Sequence, residues 1–207
     1  MVKINPLNMV WMNDPERFII NKKEVFIETS PYTSLWSRTY FKTVSSNAPI
    51  LVLPVEKNFT FSAKVSYSFK EVNDQAGIVV YANENNYLKA CVLRYNNKLN
   101  LLSTTLTHHG YSDMACREIG EGINTMYFRL SHRDGDFLVE NSFDGVHYKQ
   151  MRLFHLRMRE GQFNIGVYAC SPNDSSFDSK FSNLRLTKCI WKEYEEGEKI
   201  AWDLEQD

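Results

Sequence analysis

Apolar and polar residues alternate along many short stretches of the chain. Apolar residues recur at every second position, for example at Phe128 and Leu130 and again at Phe137 and Val139. Arg129, between the first two, is expected to lie on the opposite face of its strand. Alternation of this kind is typical of strands with one buried face. About ten such segments, spaced roughly 8–12 residues apart, predict an all-β sandwich or barrel without a long helix. The predicted strands are 24–29, 35–43, 59–69, 76–82, 87–95, 99–107, 125–133, 136–143, 163–170 and 177–187.

Turn residues separate the predicted strands. The segments 95–98, 134–136 and 144–146 are rich in Asn, Asp and Gly, which tolerate the positive φ angles of tight hairpins, so neighbouring strands are expected to be antiparallel. The sequence predicts one β-sandwich domain over residues 5–190. Residues 191–207 carry Trp191 and Trp202 within an acidic run and are predicted to form an appendage that either lies on the sandwich or is solvated.

Charge and hydropathy exclude several classes of protein. The 24 Lys and Arg residues balance 25 Asp and Glu residues, which gives no support for nucleic acid as a partner. A mean hydropathy of −0.41 and the lack of a long apolar run argue against a membrane span. The first residues do not resemble a signal peptide, so a cytoplasmic location is predicted. The four widely spaced cysteines are predicted to be buried free thiols.

No motif in the sequence predicts a catalytic or metal centre, and we expect no cofactor. Asp134 and Asp136 with Glu140 are the nearest approach to a hydrolase carboxylate pair, but the first two are interpreted as a hairpin turn. The segment 118–121, with its two glutamates, is interpreted as a loop. The five histidines fit no metal-ligand spacing, and His108 and His109 are interpreted as part of a polar loop.

One sheet surface is predicted to carry a binding site. The alternation places Lys89 on the same face as Tyr87, and aromatic rings with a few fixed polar groups are what a saccharide needs. Because like charges on one face are destabilising, Glu140 is expected to lie near Arg129 or Lys89 as their counter-ion. The alternative is that the rings only cover a shallow sheet face. The predicted ligand-binding residues, expected to line one concave groove, are Trp36, Arg38, Tyr40, Tyr81, Tyr87, Lys89, Tyr127, Arg129 and Glu140.

The ordered motifs of the chain resemble a known family. The motifs are Asp74-Gln-Ala-Gly-Ile78, Tyr87-Leu-Lys-Ala90, Ser142-Phe-Asp-Gly145 and Val167-Tyr-Ala-Cys-Ser-Pro172, and the similarity extends from about Trp11 to Thr187. They are similar to domain of unknown function 1349, the regulation-of-enolase-protein-1 type. The resemblance implies a concanavalin A-like jelly roll of two stacked antiparallel sheets. Acidic positions of the family pattern are replaced here, for example by Ser34 and Leu93.

These observations predict a lectin-like, non-catalytic domain that binds a saccharide or a sugar-like small molecule. The alternative is a protein-interaction or regulatory module of metabolism, which the name of the family suggests. A degenerate glycoside hydrolase is the third possibility.

Overall fold

The structure is a computed structural model that describes residues 2–56, 58–156 and 163–194. The described residues form seventeen strands and a single turn of 3-10 helix at Pro6–Asn8. In chain order the strands are β1 (Val2–Lys3), β2 (Val10–Met12), β3 (Arg17–Ile20), β4 (Glu24–Glu28), β5 (Leu35–Ser37), β6 (Val44–Ser46), β7 (Ile50–Val55), β8 (Phe59–Tyr67), β9 (Gln75–Asn83), β10 (Asn86–Arg94), β11 (Leu99–His108), β12 (Tyr111–Gly120), β13 (Thr125–Arg133), β14 (Asp136–Ser142), β15 (Lys149–His155), β16 (Phe163–Cys170) and β17 (Asp178–Lys188).

Two large antiparallel sheets pack against each other, as predicted. Sheet A has the order β15-β14-β13-β8-β17-β4-β3, with β1 paired to β17. Sheet B has the order β12-β11-β10-β9-β16-β7-β2, and β5 and β6 form a separate two-stranded hairpin. The many neighbours that are distant in sequence, such as β8 beside β17 and β9 beside β16, give the jelly-roll connectivity of a concanavalin A-like sandwich.

Alternating apolar residues of both sheets form the core. Phe128 and Leu130 of β13 face Leu88 and Val92 of β10 across one continuous cluster, and all four are buried. Their polar neighbours in sequence therefore face outward, away from the other sheet. The faces assigned from the alternation in β10, β13 and β14 are confirmed.

The predicted hairpin turns are also confirmed. Asp134 and Gly135 both have positive φ and join β13 to β14 as a two-residue turn of the type that right-twisted hairpins favour. Asn96 Oδ1 accepts hydrogen bonds from the backbone N–H groups of Lys98 and Leu99 in the turn between β10 and β11. Asp144 Oδ1 accepts from Val146 N at 2.8 Å between β14 and β15.

The strands β12 and β15 were not predicted because they lie at the edges of the two sheets. The side chains of β12 are nearly all exposed, so this strand shows no apolar alternation, and the prediction that residues 118–121 are a loop is wrong for 118–120. Strand β15 closes the corresponding edge of sheet A and is also largely exposed. An edge strand needs no buried face, which explains why the pattern missed both.

The prediction of one strand over residues 35–43 is wrong. The strand β5 ends at Ser37, and Arg38, Tyr40 and Lys42 have positive φ. Arg38 N donates to Thr43 O at 2.7 Å and Lys42 N donates to Arg38 O at 2.6 Å, which closes a tight turn before β6. The spacing of Trp36, Arg38 and Tyr40 imitated strand alternation, but these three side chains do not share a strand face.

The division into a 5–190 domain and a 191–207 appendage stays a prediction. Residues 195–207, including Trp202, lie outside the described residues. The segment that precedes them contacts the sandwich, because the Arg133 guanidinium donates to the carbonyl oxygen of Trp191 at 2.8 and 3.2 Å.

Candidate functional site

The nine predicted ligand-binding residues do not form one surface. Lys89 lies on β10 in sheet B, whereas Arg129 and Glu140 lie on β13 and β14 in sheet A. The outer faces of the two sheets point in opposite directions, so the prediction that Lys89 shares a groove with Arg129 and Glu140 is wrong. The structure divides the nine residues into three groups. They are Tyr81, Tyr87 and Lys89 on sheet B, Trp36, Arg38 and Tyr40 on the β5–β6 hairpin, and Tyr127, Arg129 and Glu140 on sheet A.

The outer face of sheet B carries a buried lysine. Tyr87, Lys89 and Tyr81 share this face, as the alternation predicted, but Lys89 is only 3% exposed and Tyr87 only 1%. The Lys89 Nζ donates to Gln75 Oε1 at 2.9 Å and lies 5.7 Å from the centroid of the Tyr168 ring. The partner of the Lys89 amino group is therefore a neutral amide beside an aromatic ring.

A hairpin made of β5 and β6, called here the covering hairpin, explains this burial. Leu35 and Ala48, at its base, pack with Tyr87, Cys91 and Tyr168 in one buried cluster. The cluster fills the middle of the sheet B face, where the sequence predicted an open groove.

Hydroxyl groups hold the covering hairpin on the sheet. Ser37 N donates to Ser112 Oγ at 3.0 Å, and Ser37 Oγ donates to the Gly110 carbonyl oxygen at 2.7 Å. Ser112 Oγ in turn lies 2.7 Å from Thr107 Oγ1. All of these groups are buried, so each bond is shielded from competition with water. The hairpin is thus fixed through both apolar packing and a hydrogen-bonded chain.

Burial keeps the thiols and phenols under the hairpin protonated. Desolvation raises the pKa of Cys91 and raises that of Cys170 to about 12, although Lys89 lowers both. Desolvation also raises the pKa of Tyr87, against the opposing effect of the Thr107 and Ser112 hydroxyls. The prediction of buried free thiols is confirmed for Cys91 and Cys170, but it is wrong for Cys116, which is exposed on β12, and Cys189 is half-buried.

Replacing Lys89 with methionine is expected to leave the stability unchanged or to raise it by about 1 kcal/mol, because a desolvated ammonium without a carboxylate partner is lost. Gln75 Oε1 keeps a second donor, the Tyr168 hydroxyl at 3.4 Å. Denaturant unfolding of the Lys89→Met variant measures this change in stability. The control is Lys98→Met, which replaces an exposed lysine in the β10–β11 turn. A loss of more than about 2 kcal/mol would show that the ammonium stabilises the fold.

The turn of the covering hairpin exposes a cluster of aromatic rings. Tyr40 is 87% exposed and Phe41 is 64% exposed, and their ring centroids are 5.0 Å apart. The half-buried Trp36 contacts Phe41 edge-on at 5.6 Å, and its Nε1 donates to Thr39 O at 3.0 Å. We call Trp36, Tyr40 and Phe41 the hairpin-tip cluster.

Arg38 attaches this turn to the end of sheet B. Its Nη1 donates to the Gly110 carbonyl oxygen at 2.9 Å, and its guanidinium carbon lies 5.8 Å from the centroid of the exposed Tyr111 ring. Arg38 was predicted as a ligand-binding residue, but this bond also makes it an anchor of the turn. Phe41 was missed because the predicted strand over 35–43 placed it on the face opposite Trp36 and Tyr40. Tyr111 was missed because it begins β12, a strand that was not predicted.

The outer face of sheet A carries an ion pair. Arg129 Nε and Nη2 donate to the two carboxylate oxygens of Glu140 at 2.6 and 2.7 Å, so the predicted pairing of Glu140 with Arg129 is confirmed. The hydrogen bond to Glu140 is the main reason that the pKa of Arg129 is raised. The guanidinium also stacks on the ring of Tyr148 at 4.0 Å. Both carboxylate oxygens of Glu140 are therefore engaged by one bidentate partner.

A double-mutant cycle of Arg129→Ala and Glu140→Ala is expected to give a coupling energy of about 1–2 kcal/mol, because the pair is bidentate and only partly exposed. Urea unfolding of the four proteins measures it. A coupling near zero would show that solvent screens this pair as it screens an ordinary surface ion pair.

Two aspartates and two histidines contact each other in pairs at the ends of β14 and β15. Asp136 Oδ1 lies 2.8 Å from His155 Nδ1, and Asp144 Oδ2 lies 2.7 Å from His147 Nδ1. Among the described residues, no group of three or more His, Cys, Asp or Glu side chains is placed to hold a metal ion. No helix in the described part of the chain is long and apolar enough to cross a membrane.

Comparison of the chain with solved structures shows the same fold in other proteins. It superposes on a functionally unknown protein from Saccharomyces cerevisiae with a TM-score of 0.85, at 24% identity, over 90% of this chain and all of the other. It also superposes on a GH43 protein from Bacillus licheniformis with a TM-score of 0.64, at 15% identity, over 88% of this chain but only 37% of that protein. At these identities the likeness shows the fold alone.

Comparison at the level of sequence identifies relatives along almost the whole chain. Regulation of enolase protein 1 of Saccharomyces cerevisiae is 25% identical over 182 residues, which cover 88% of this chain and 90% of that protein. Residues 11–189 match a family described as a protein of unknown function, DUF1349. Because this match covers most of the chain and includes both sheets and the covering hairpin, the protein belongs to the DUF1349 family.

Proposed function

We propose that this protein is a non-catalytic regulatory module that binds another protein through the hairpin-tip cluster. The observation that carries the proposal is the exposure of Tyr40 and Phe41, side by side at 87% and 64%, next to Trp36. Aromatic side chains and arginine are enriched where protein interfaces carry their binding energy. A protruding turn also suits insertion into a partner's pocket better than it suits enclosure of a small molecule.

The backbone of the turn presents these rings in a fixed position. Arg38, Tyr40 and Lys42 are held in the left-handed region, which is costly for residues other than glycine and persists only where the surroundings impose it. The bond from Arg38 to Gly110 and the anchors at Ser37 supply that support. A preorganised loop loses less conformational entropy when it binds.

The chemistry of the turn indicates the kind of partner. Arg38 and Lys42 flank the aromatic rings and are exposed, so the complementary surface is an apolar pocket with acidic groups at its rim. The yeast relative is named for the regulation of enolase, which makes enolase the first partner to test. The cytoplasmic location predicted from the sequence is part of the same proposal and is supported by four cysteines that form no disulfide.

Calorimetric titration with purified enolase from the same organism tests the proposal. We expect the unmodified protein to bind, and the double variant Tyr40→Ser, Phe41→Ser to bind at least about thirtyfold more weakly, since two central rings are lost. Tyr95→Ser is the control, because Tyr95 is 54% exposed in the β10–β11 turn and lies outside the cluster. Absence of binding would refute enolase as the partner, and binding that survives the double substitution would refute this surface.

A saccharide is the second candidate for the same surface. Trp36 and Tyr40 are rings that can stack on a sugar, and Arg38 supplies donors beside them. Titration of xylo-oligosaccharides while Trp36 fluorescence is followed, with Trp36→Phe to assign the signal, tests it. A saturable change that disappears in the Tyr40→Ser, Phe41→Ser variant would support a saccharide, and no change at millimolar sugar would refute it.

A further inference from the structure

The last strand of sheet A, β3 (Arg17–Ile20), has a free edge with apolar side chains. Among the described residues, no strand pairs with β3 on the side away from β4. Ile19 is 67% exposed and Phe18 is 42% exposed. The charged side chain of the strand, Arg17, is engaged by Glu28 of β4 at 3.1 Å. Lysines and prolines usually protect an open sheet edge from other strands, and β3 contains neither.

Charged residues protect the edges at the other end of the two sheets. Strand β12 carries Arg117 and Glu118, and β15 carries Lys149 and Arg152. The edge strand β2 of sheet B is only three residues long. The edge of β3 is therefore the one best suited to pairing with another strand.

The β3–β4 hairpin determines which backbone groups of β3 point to the free side. Asn21 N donates to Glu24 O at 3.0 Å, so these two residues form a hydrogen-bonded pair at the turn. Hydrogen-bonded and non-hydrogen-bonded pairs alternate along an antiparallel hairpin. Phe18 and Ile20 are in non-hydrogen-bonded pairs with β4, and their N–H and C=O groups point away from it.

The sequence around β3 is complementary to itself when a second copy runs antiparallel to it. With Phe18 of one copy opposite Ile20 of the other, the outward backbone groups of both residues are paired, because a hydrogen-bonded pair exchanges both bonds. In this register Ile19 lies opposite Ile19 of the second copy, and Glu16 lies opposite Lys22. Two-fold symmetry repeats each of these contacts.

Charge favours this register over the others. Glu16 and Lys22 are exposed, and no ion pair in the described part of the chain includes either of them. Sliding the second copy by two residues would place either Glu16 opposite Ile20 or Phe18 opposite Lys22, which loses both the charge match and the apolar match. A parallel, in-register arrangement would place like charges side by side.

An apolar surface beside the free edge can receive the second copy. A shallow cavity of about 600 Å³ lies there, and Phe18, Ile19, Phe26 and Ile27 are among its lining residues. Phe26 is the neighbour of Ile19 on β4. Since Ile19 lies opposite itself in this register, the Ile19 side chain of the second copy packs on the same surface.

We propose that two copies of this protein associate through their β3 strands, antiparallel, with Ile19 at the two-fold axis. Sheet A then continues from one copy into the other. Because the strand is short and the contact buries little area, the dimer is in equilibrium with the monomer rather than permanent. The β3 edge contains no residue of the hairpin-tip cluster, so the dimer carries two such clusters and is an addition to the proposed function.

Sedimentation velocity at protein concentrations from about 1 to about 500 μM tests the dimer, and we expect a monomer–dimer equilibrium in this range. Ile19→Lys is expected to weaken dimerisation at least about tenfold, because two ammonium groups would face each other at the two-fold axis. The matched control is Val146→Lys, since Val146 is 72% exposed in the β14–β15 turn, and it is expected to leave dimerisation unchanged. A protein that stays monomeric throughout, a dimer that survives Ile19→Lys, or an equal loss in the control would refute the proposal.

A charge exchange tests the antiparallel register. Glu16→Lys would place two like charges next to each other at both ends of the paired strands and is expected to weaken dimerisation at least about threefold. Adding Lys22→Glu to the same chain restores opposite charges and is expected to restore the dimer. Both residues are exposed, so these variants leave the core unchanged. A double variant that dimerises no better than Glu16→Lys alone would contradict the proposed pairing.

Discussion

Replacing Gly77 with alanine is expected to lower the free energy of unfolding by about 3 kcal/mol or more and the melting temperature by roughly 10 °C. Gly77 lies on β9, beside Cys91 of β10. A Cβ at this position would overlap the Ala90 carbonyl oxygen and would lie 2.6 Å from Cys91 Cα. Both are backbone atoms in the middle of sheet B, so relief requires the two strands to separate rather than a side chain to rotate.

Thermal and denaturant unfolding of Gly77→Ala measure this effect. Gly120→Ala is the matched control, since Gly120 is also a strand glycine and a Cβ there would meet no atom within 4 Å. The control is expected to unfold like the unmodified protein or slightly later, because alanine reduces the entropy of the unfolded chain. Equal stability of the two alanine variants would show that β9 and β10 leave room for a Cβ at Gly77, and would contradict the close approach of the two strands.

Asp74→Ala is expected to destabilise the protein by about 3 kcal/mol, through the loss of a fully buried carboxylate and its three hydrogen bonds. Asp74 Oδ2 accepts from Lys70 N and Glu71 N, both at 2.9 Å, and from Ser175 Oγ at 3.0 Å. The carboxylate thus joins the turn after β8 to the segment before β17. Its removal leaves two backbone N–H groups without an acceptor.

Two further variants test this explanation for Asp74. Asp74→Asn keeps an acceptor oxygen for the same three donors, so it is expected to lose less than half as much stability as Asp74→Ala. Asp174→Ala removes an exposed carboxylate from the segment before β17 and is expected to change the stability very little. The same loss of stability in all three variants, measured by urea unfolding, would contradict a stabilising role for the three hydrogen bonds of Asp74.

The sequence was sufficient to predict the layers of the fold and the local partners within a sheet. Alternation in β13 and β14 predicted that Arg129 faces outward, and the tight turn at 134–135 makes Glu140 its cross-strand neighbour. Alternation cannot tell which of two sheets a strand joins, because outward-facing residues of both sheets have the same period. Lys89 and Arg129 were therefore assigned to one surface although they lie on opposite sides of the molecule.

The covering hairpin could not be predicted because its turn uses residues that give no turn signal. Arg38, Tyr40 and Lys42 have positive φ, which sequence patterns associate with Gly and Asn.

Thiol labelling followed by mass spectrometry tests most directly whether the covering hairpin closes the Lys89 face of sheet B. Cys91 and Cys170 lie under the hairpin, whereas Cys116 is exposed on β12 of the same sheet. We predict that iodoacetamide modifies Cys116 in the native protein at least about a hundredfold faster than Cys91 and Cys170, and that denaturant abolishes the difference. Modification of Cys91 and Cys170 at the rate of Cys116 under native conditions would show that the face is open and would contradict this account.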